Sequence, residues 1–303
     1  MGVNFQDVAF TYFPNKKKEL NHYVLKDINL NIDTNDEFIC VVGHTGSGKS
    51  TLMQLMNALL LPTTGEIKID ENTIKSKNNK NLKEIRKKIG LVFQFPEYQL
   101  FEDTILKDVA FGPTNFKLDN PVERAKDALA KFNIDEKFYE RNPYHLSGGE
   151  MRKVAISGIL ASDPEVLILD EPTVGLDPYT KKELINLLQD IHNRFHKTIM
   201  IVTHDMNVLW TVATRVILLD NEKIIYDGNK YDLFKNDELV KNHYLDYPDI
   251  VKVMKEIKNR LNNNIDPFQE DIQSALKEIE RVLKWVARLY LVNITMLIHG
   301  YID

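Results

Sequence analysis

Gly43-His44-Thr45-Gly46-Ser47-Gly48-Lys49-Ser50 satisfies the spacing G-x-x-x-x-G-K-S/T and stands between an apolar run, Glu37–Val42, that reads as a strand and a segment, Thr51–Leu60, that reads as a helix. A strand, a glycine-rich turn and a helix in that order define a P-loop. The glycines let successive backbone N–H groups turn toward one point, and the helix start adds its partial positive charge there. Lys49 can then reach the β- and γ-phosphates of a nucleotide, and the Ser50 hydroxyl can ligate Mg²⁺. The loop is built for a nucleoside triphosphate.

Working outward, Val3–Phe10, Val24–Ile32 and Glu66–Ile69 are β-rich runs bounded by Pro14, Asn35 and Gly65. Further strands are predicted at Ile89–Phe93, Val166–Leu169, Thr198–Val202 and Val216–Leu219, with helical patterns at Val122–Phe132, Gly149–Ala161 and Thr180–Phe195 between them. The alternation predicts an α/β core with a largely parallel sheet, whose ligands gather at the carboxyl ends of the strands. Val216–Leu219 and Lys223–Tyr226, joined through Asp220-Asn221-Glu222, read as a closing hairpin.

Two further segments carry chemistry. Val166-Leu167-Ile168-Leu169-Asp170-Glu171 is an apolar strand ending in adjacent carboxylates; beside a P-loop, Asp170 can hold Mg²⁺ directly or through water and Glu171 can polarise an attacking water. Leu146-Ser147-Gly148-Gly149-Glu150 precedes a helix and offers a second anion-binding helix N-terminus. His192 and His196 have metal-like spacing, but residue 193 is Asn and no third ligand is evident, so they read as surface residues. The single cysteine, Cys40, falls in the P-loop strand and reads as a buried thiol; with no disulfide framework the sequence fits a reducing compartment.

A length of 303 residues accommodates a large α/β domain and a smaller second unit, and a net charge of −5 supplies no global cationic field for nucleic acid, which is not expected as a partner. The basic run Ser76–Lys88 reads as a solvated loop and helix face. The most apolar stretch, Trp285–Ile298, carries Arg288 and is shorter than the roughly twenty residues a spanning helix needs, so the chain is not expected to cross a membrane by itself. Composition shifts near Asn229, which suggests a large domain over 1–235 and a helical unit over 236–303. There Ile250, Met254, Ile257 and Leu261 share a helix face, and Ile272, Leu276, Ile279, Leu283, Val286 and Tyr290 repeat at spacings of four and three, a stripe that packs within the chain or pairs subunits.

From Val3 to Gly228 the chain resembles the ATP-binding subunits of ABC transporters. Ser147-Gly148-Gly149 matches that family's hallmark, and Gln94, Gly175-Leu176-Asp177 and His204 fall in the family's order. The resemblance implies a P-loop ABC ATPase fold: a largely parallel core sheet, an antiparallel β subdomain and a helical subdomain, here followed by a small C-terminal helical domain. It implies ATP and Mg²⁺ as cofactors. Tyr12 would stack on adenine, Gly43 through Thr51 would hold the phosphates, Glu171 would activate water and His204 would contact the γ-phosphate. Ser50, Asp170 and Gln94 would serve the metal, Asp177 would join the nucleotide-binding residues, and Ser147, Gly148 and Gly149 would complete the site of the opposite, head-to-tail subunit. Glu150 stands where the family usually has Gln.

Val92 through Phe101 and Asp108 through Pro113 look like the ATPases of energy-coupling factor importers, which take up vitamins or cobalt and nickel ions. That likeness implies ATP hydrolysis coupled to transport at the cytoplasmic face of the cell membrane, as a peripheral subunit. The implied partners are a second, paralogous ATPase in a heterodimer, a transmembrane coupling subunit and a substrate-binding membrane subunit. Phe95–Phe101 is expected to form part of a groove for the membrane subunit, with Glu97 as its charged rim. The alternatives are a conventional ABC importer or exporter ATPase and a non-transport ATPase acting on nucleic acid or ribosomes.

Overall fold

Phe38-Ile39-Cys40-Val41-Val42 is buried at every position, as an apolar run without alternation requires: both faces of such a strand must be covered. The computed structural model describes residues 2–15, 22–33, 36–77, 80–261 and 264–283. The strands are β1 (Gly2–Phe10), β2 (Leu25–Asp33), β3 (Phe38–Val42), β4 (Thr64–Ile69), β5 (Asn72–Ile74), β6 (Ile89–Val92), β7 (Val166–Asp170), β8 (Thr198–Val202), β9 (Arg215–Asp220) and β10 (Lys223–Gly228). The helices are α1 (Lys49–Met56), α2 (Leu82–Lys88), α3 (Ile105–Asn115), α4 (Pro121–Lys131), α5 (Gly148–Leu160), α6 (Pro178–Phe195), α7 (Met206–Val212), α8 (Lys230–Lys235), α9 (Asp237–Asn242) and α10 (Asp249–Leu261). Contacts divide the chain into two units, Met1–Leu233 and Phe234–Asp303.

In the first unit β3 lies inside a six-stranded sheet ordered β10-β9-β3-β8-β7-β6. It is parallel to β8 and β9, β7 and β6 continue the parallel run, and β10 closes one edge antiparallel to β9. Strands β7 and β8 are also buried throughout. Each fully buried Ile, Leu, Val or Phe there contributes roughly 1.5–3 kcal/mol, so the sheet interior tolerates no polar substitution cheaply. Cys40 is sealed inside β3, and burial pushes its thiol up to about 12.

A second sheet, ordered β2-β1-β4-β5, is antiparallel. Its strand β2 alternates, burying Ile28, Leu30 and Ile32 while Asn29, Asn31 and Asp33 face water, the pattern of a sheet with one covered face. That covered face, the buried side of α1 and one face of the parallel sheet share a single apolar cluster. Between β6 and β7 the chain leaves the sheet to form α3, α4 and α5, which pack on one another. Parallel core, antiparallel β layer and helical layer are the architecture read from the sequence.

Some boundaries and faces differ from expectation. The helix after the P-loop is Lys49–Met56 rather than Thr51–Leu60. It starts as soon as Gly48 ends the loop, and it stops because Ala58 turns left-handed (φ 56°) so that the Leu59 and Leu60 amides both donate to the Gln54 carbonyl, a C-terminal capping turn. His192 is not a surface residue: its ring is largely buried, meets Phe38 edge-on at 5.5 Å and bonds the Lys197 carbonyl through Nδ1 at 2.8 Å. His196 is exposed and bonds Asp36 at 2.9 Å. In the basic run, Lys88 pairs with Asp70, Arg86 donates to the Ala58 carbonyl and Lys83 to the Asn115 carbonyl.

In the second unit Met254, Ile265, Ala275 and Val282 form a small core, flanked by Ile250, Ile257 and Ile279. The chain is helical over 272–283. Of the expected stripe, Ile279 packs on this core, whereas Ile272, Leu276 and Leu283 are exposed; the buried face is set by Ala275, Ile279 and Val282, one residue out of phase. Val286, Tyr290 and the stretch Trp285–Ile298 lie outside the described residues.

Candidate functional site

Because β3, β6, β7 and β8 are parallel neighbours, their carboxyl ends open on one side of the sheet. On that side the P-loop leaves β3, Gln94 comes after β6, Glu171 after β7 and His204 after β8. Topology alone therefore gathers four of the sequence-predicted segments.

Two P-loop glycines are obligatory. At Gly43 (φ 144°) an added Cβ would overlap the Leu219 carbonyl oxygen, and at Gly48 (φ 98°) it would come within 2.7 Å of the Leu25 side chain. Lys49 is buried, and its Nζ donates to the carbonyls of Gly43 at 2.9 Å and His44 at 2.8 Å, so the cation is held at the loop's centre. Burial pushes its pKa down, and the charges of Glu171 and Asp170 pull the other way. Ser47 Oγ is buried and finds no hydrogen-bond partner among the described residues. The His44 ring turns to Asp220, with Nε2 3.0 Å from Oδ1.

A cavity of about 590 Å³ opens over the loop, within the common range for small-molecule sites. Tyr12, Lys49, Ser50, Gln94, Glu171 and His204 are all on its wall. Tyr12 is set by an edge-on contact with Phe10 at 4.9 Å and by a hydrogen bond between its hydroxyl and Thr51 Oγ1 at 3.1 Å, which leaves a ring face half exposed. Glu171 sits at the centre: Oε1 is 2.8 Å from His204 Nε2, and Oε2 accepts from Gln94 Nε2 at 3.3 Å. Its backbone is left-handed at φ 49°, an unfavourable state for a non-glycine residue, and its amide donates to the Val202 carbonyl at 3.0 Å.

Asp170 is buried at the end of β7, where burial pushes its carboxyl up while the Ser50 hydroxyl bonded to it and the Lys49 charge pull it down. A hydroxyl and a carboxylate in contact, with Gln94 on the same wall, suit Mg²⁺, which takes one or two protein ligands and fills its octahedron with substrate phosphates and water.

Ser147, Gly148, Gly149 and Asp177 do not line this cavity. Ser147 caps α5 in a reciprocal box: its Oγ accepts from the Glu150 amide, and the Glu150 carboxylate accepts from the Ser147 amide at 2.9 Å and hydroxyl at 2.7 Å. That geometry explains the Glu, since either Glu or Gln can close a capping box. The same bonds from Ser147 hold the Glu150 carboxyl below its ordinary value. Asp177 caps α6 through the amides of Tyr179 and Thr180.

Sequence reasoning missed Arg152. It is 4% exposed, its Nη2 is 2.8 Å from Glu97 Oε1, and its Nη1 donates to the carbonyls of Pro172 and Val174. Its signal was available: Arg152, Ile156 and Leu160 share the buried face of α5, so a charge stands at an apolar-face position. Glu97 is accordingly not a free rim charge as expected, but the internal partner of this guanidinium. The neighbouring Phe95, Tyr98 and Phe101 are exposed.

Fold and site together define a P-loop nucleotide hydrolase whose helical layer carries a second, outward-facing glycine motif. The family profile for ABC transporters matches residues 25–174. The energy-coupling factor transporter ATP-binding protein EcfA2 of Bacillus subtilis (strain 168) is 41% identical over 88% of this chain and 98% of its own length. That of Enterococcus faecalis is 46% identical over 82% of this chain and 86% of its own. Among solved structures, CbiO1 from Clostridium perfringens, part of the ABC transporter complex CbiONQ, is 31% identical with a TM-score of 0.68 over 86% of this chain and 98% of that one. A dimeric ATP-binding cassette in a post-hydrolysis state with ADP and Pi is 33% identical, with a TM-score of 0.65 over 75% of this chain and 98% of that one. The chain belongs to the ABC transporter ATP-binding proteins, among the energy-coupling factor ATPases.

Proposed function

We propose that this chain binds and hydrolyses ATP to energise import of a micronutrient, a vitamin or transition-metal ion, as a subunit of an energy-coupling factor complex. The observation that carries the reading is Glu171 held between His204 and Gln94 on the wall of the P-loop cavity. A carboxylate so placed can orient and deprotonate water at the γ-phosphate, His204 can contact that phosphate, and Lys49 supplies the cation facing the β- and γ-phosphates. Tyr12 offers its exposed ring face to adenine. Ser50 and Asp170, with Gln94, would hold Mg²⁺, whose contribution when bound is to neutralise charge on the phosphate oxygens.

The remaining nucleotide motif faces elsewhere. Ser147, Gly148, Gly149 and Asp177 lie off the cavity, which supports their completing the site of a second ATPase, a paralogue in head-to-tail apposition. Among the described residues no helix is long and apolar enough to cross a membrane. The likeness to energy-coupling factor ATPases and to a subunit of the CbiONQ complex supports docking at the cytoplasmic face of a transmembrane coupling subunit and a substrate-binding membrane subunit. The exposed aromatics Phe95, Tyr98 and Phe101 offer an anchoring surface for the coupling subunit. Purifying the native complex and identifying each subunit tests the assignment. Co-purification with ribosomes, or with no membrane subunit, would refute it.

A further inference from the structure

Three segments that carry nucleotide motifs lie far apart in the chain: the Gln94 loop, the helix that begins beside Ser147, and the turn that carries Glu171. One side chain touches all three. Arg152, on the second turn of α5, forks onto Glu97 through Nε at 3.1 Å and Nη2 at 2.8 Å, three residues beyond Gln94. Its Nη1 donates to the carbonyls of Pro172 at 3.0 Å and Val174 at 2.7 Å, directly beyond Glu171. The Phe95 ring centre lies 5.9 Å from the guanidinium carbon.

The need for such a clamp is visible in the backbone. Glu171 occupies a left-handed conformation that persists only where the surroundings over-determine it. On its N-terminal side the amide is pinned to Val202 on β8, and on its C-terminal side the turn is held by Arg152. Burial pushes the Glu97 carboxyl up, but the Arg152 fork outweighs it and holds the carboxyl below its ordinary value, so the pair is ionised in the folded protein.

We propose that Arg152 is a positioning residue for hydrolysis: its grip on the Pro172 and Val174 carbonyls keeps the Glu171 carboxylate aimed between His204 and Gln94, and its fork on Glu97 ties that aim to the Gln94 loop. The proposal rests on Glu171 acting on the attacking water. Lysine cannot replace this arginine, because a single ammonium cannot fork onto a carboxylate and reach two carbonyls in fixed planar geometry. A purely structural ion pair would need only the charges.

The test is steady-state ATP hydrolysis by the assembled complex carrying Arg152→Lys, alone and with Glu171→Gln. The expected result is a kcat lower by about ten- to a hundredfold, the cost of slight misplacement, with KM for ATP within about twofold of the parent, and a modestly lower melting midpoint because buried carbonyls lose their donor. In the Glu171→Gln background the same change should cost nothing further, since a residue acting only through Glu171 has nothing left to position. Parental kcat in Arg152→Lys, a loss that multiplies with that of Glu171→Gln, or a KM raised beyond that range would each overturn the proposal. Should Arg152→Lys fail to fold, Glu97→Gln is read in the same cycle: it loosens the fork while leaving the carbonyl bonds, and kcat should fall about threefold with KM unchanged. Parental kcat there overturns the proposal as well. A parent complex no faster than its Glu171→Gln variant would instead overturn the reading of Glu171, and this inference with it.

Discussion

Replacing Glu171 with Gln separates nucleotide binding from turnover more cleanly than any other change in this cavity. Both carboxylate oxygens are engaged, one 2.8 Å from His204 Nε2 and one accepting from Gln94 at 3.3 Å. Glutamine keeps the volume but has one acceptor oxygen, so one contact and the whole charge are lost. A positioned general base contributes about 10²- to 10⁴-fold. At 1.36 kcal/mol per decade the barrier should rise by about 2.7–5.4 kcal/mol. Binding moves the other way. The cavity wall carries a carboxylate facing a polyanionic ligand, and removing one negative charge at a half-open site favours the nucleotide by about 1 kcal/mol or less. ATP affinity should therefore be equal or slightly tighter while phosphate release nearly stops. Phosphate release and nucleotide titration on the assembled complex measure the two quantities, and sedimentation with ATP should show the paired ATPases persisting. Turnover within about tenfold of the parent, below the range expected of a general base, or a clear loss of affinity would refute the assignment.

Lys49→Ala should instead weaken nucleotide binding by about 1.5–3 kcal/mol, the range for a hydrogen bond to a charged group, and a fluorescent-nucleotide titration reads it. Glu97→Lys places a second cation against a buried guanidinium, and breaking such a pair costs about 3–5 kcal/mol. Its first effect should be a lower melting midpoint of the isolated subunit rather than the selective loss of assembly that an exposed rim charge would produce; an unchanged midpoint contradicts this. Asp205 caps α7 and pairs with Lys181. Burial pushes its carboxyl up, but that pair and the cap bonds outweigh it, so the folded value lies below the ordinary 3.8. The folded state then binds fewer protons than the unfolded chain near that pH, so the stabilisation is complete above it and fades as pH falls through the folded value. Urea midpoints of parent and Asp205→Asn should converge at the acid end, and a constant difference down to about pH 3 argues against the shift. Truncation after Leu233 should preserve ATP binding and weaken subunit pairing without ATP, as sedimentation would show. Truncation after Asn229 should also destabilise the ATPase unit, because it removes Lys230, whose Nζ donates to the Trp210 carbonyl at 2.6 Å, and the buried Leu233.

The parallel sheet was legible because β3, β6, β7 and β8 are largely apolar runs, and the P-loop, Gln94, Glu171 and His204 each follow one of them closely. Local chemistry fixed by spacing, such as the glycines of the P-loop, needs no knowledge of the rest of the chain. What was illegible depends on contacts between distant segments. Glu97 looked like surface charge because its partner lies 55 residues away on α5, and His192 looked exposed because nothing in its neighbourhood announces Phe38 against its ring. The C-terminal stripe was misphased for a related reason. Leucine and isoleucine weigh more in a periodicity count than Ala275, which is nevertheless the residue this small core buries.

The sealed thiol in β3 gives an experimental opening. Cys40 is the sole cysteine of the sequence, is inaccessible to solvent, and is held almost wholly protonated at neutral pH. Maleimides and disulfide reagents therefore find nothing to modify on the native subunit. A cysteine introduced at exposed Tyr179, beside the Asp177 loop, would be the chain's only reactive handle. A fluorophore there could then report the approach of the paralogous ATPase through a turnover cycle without first removing a cysteine from this chain.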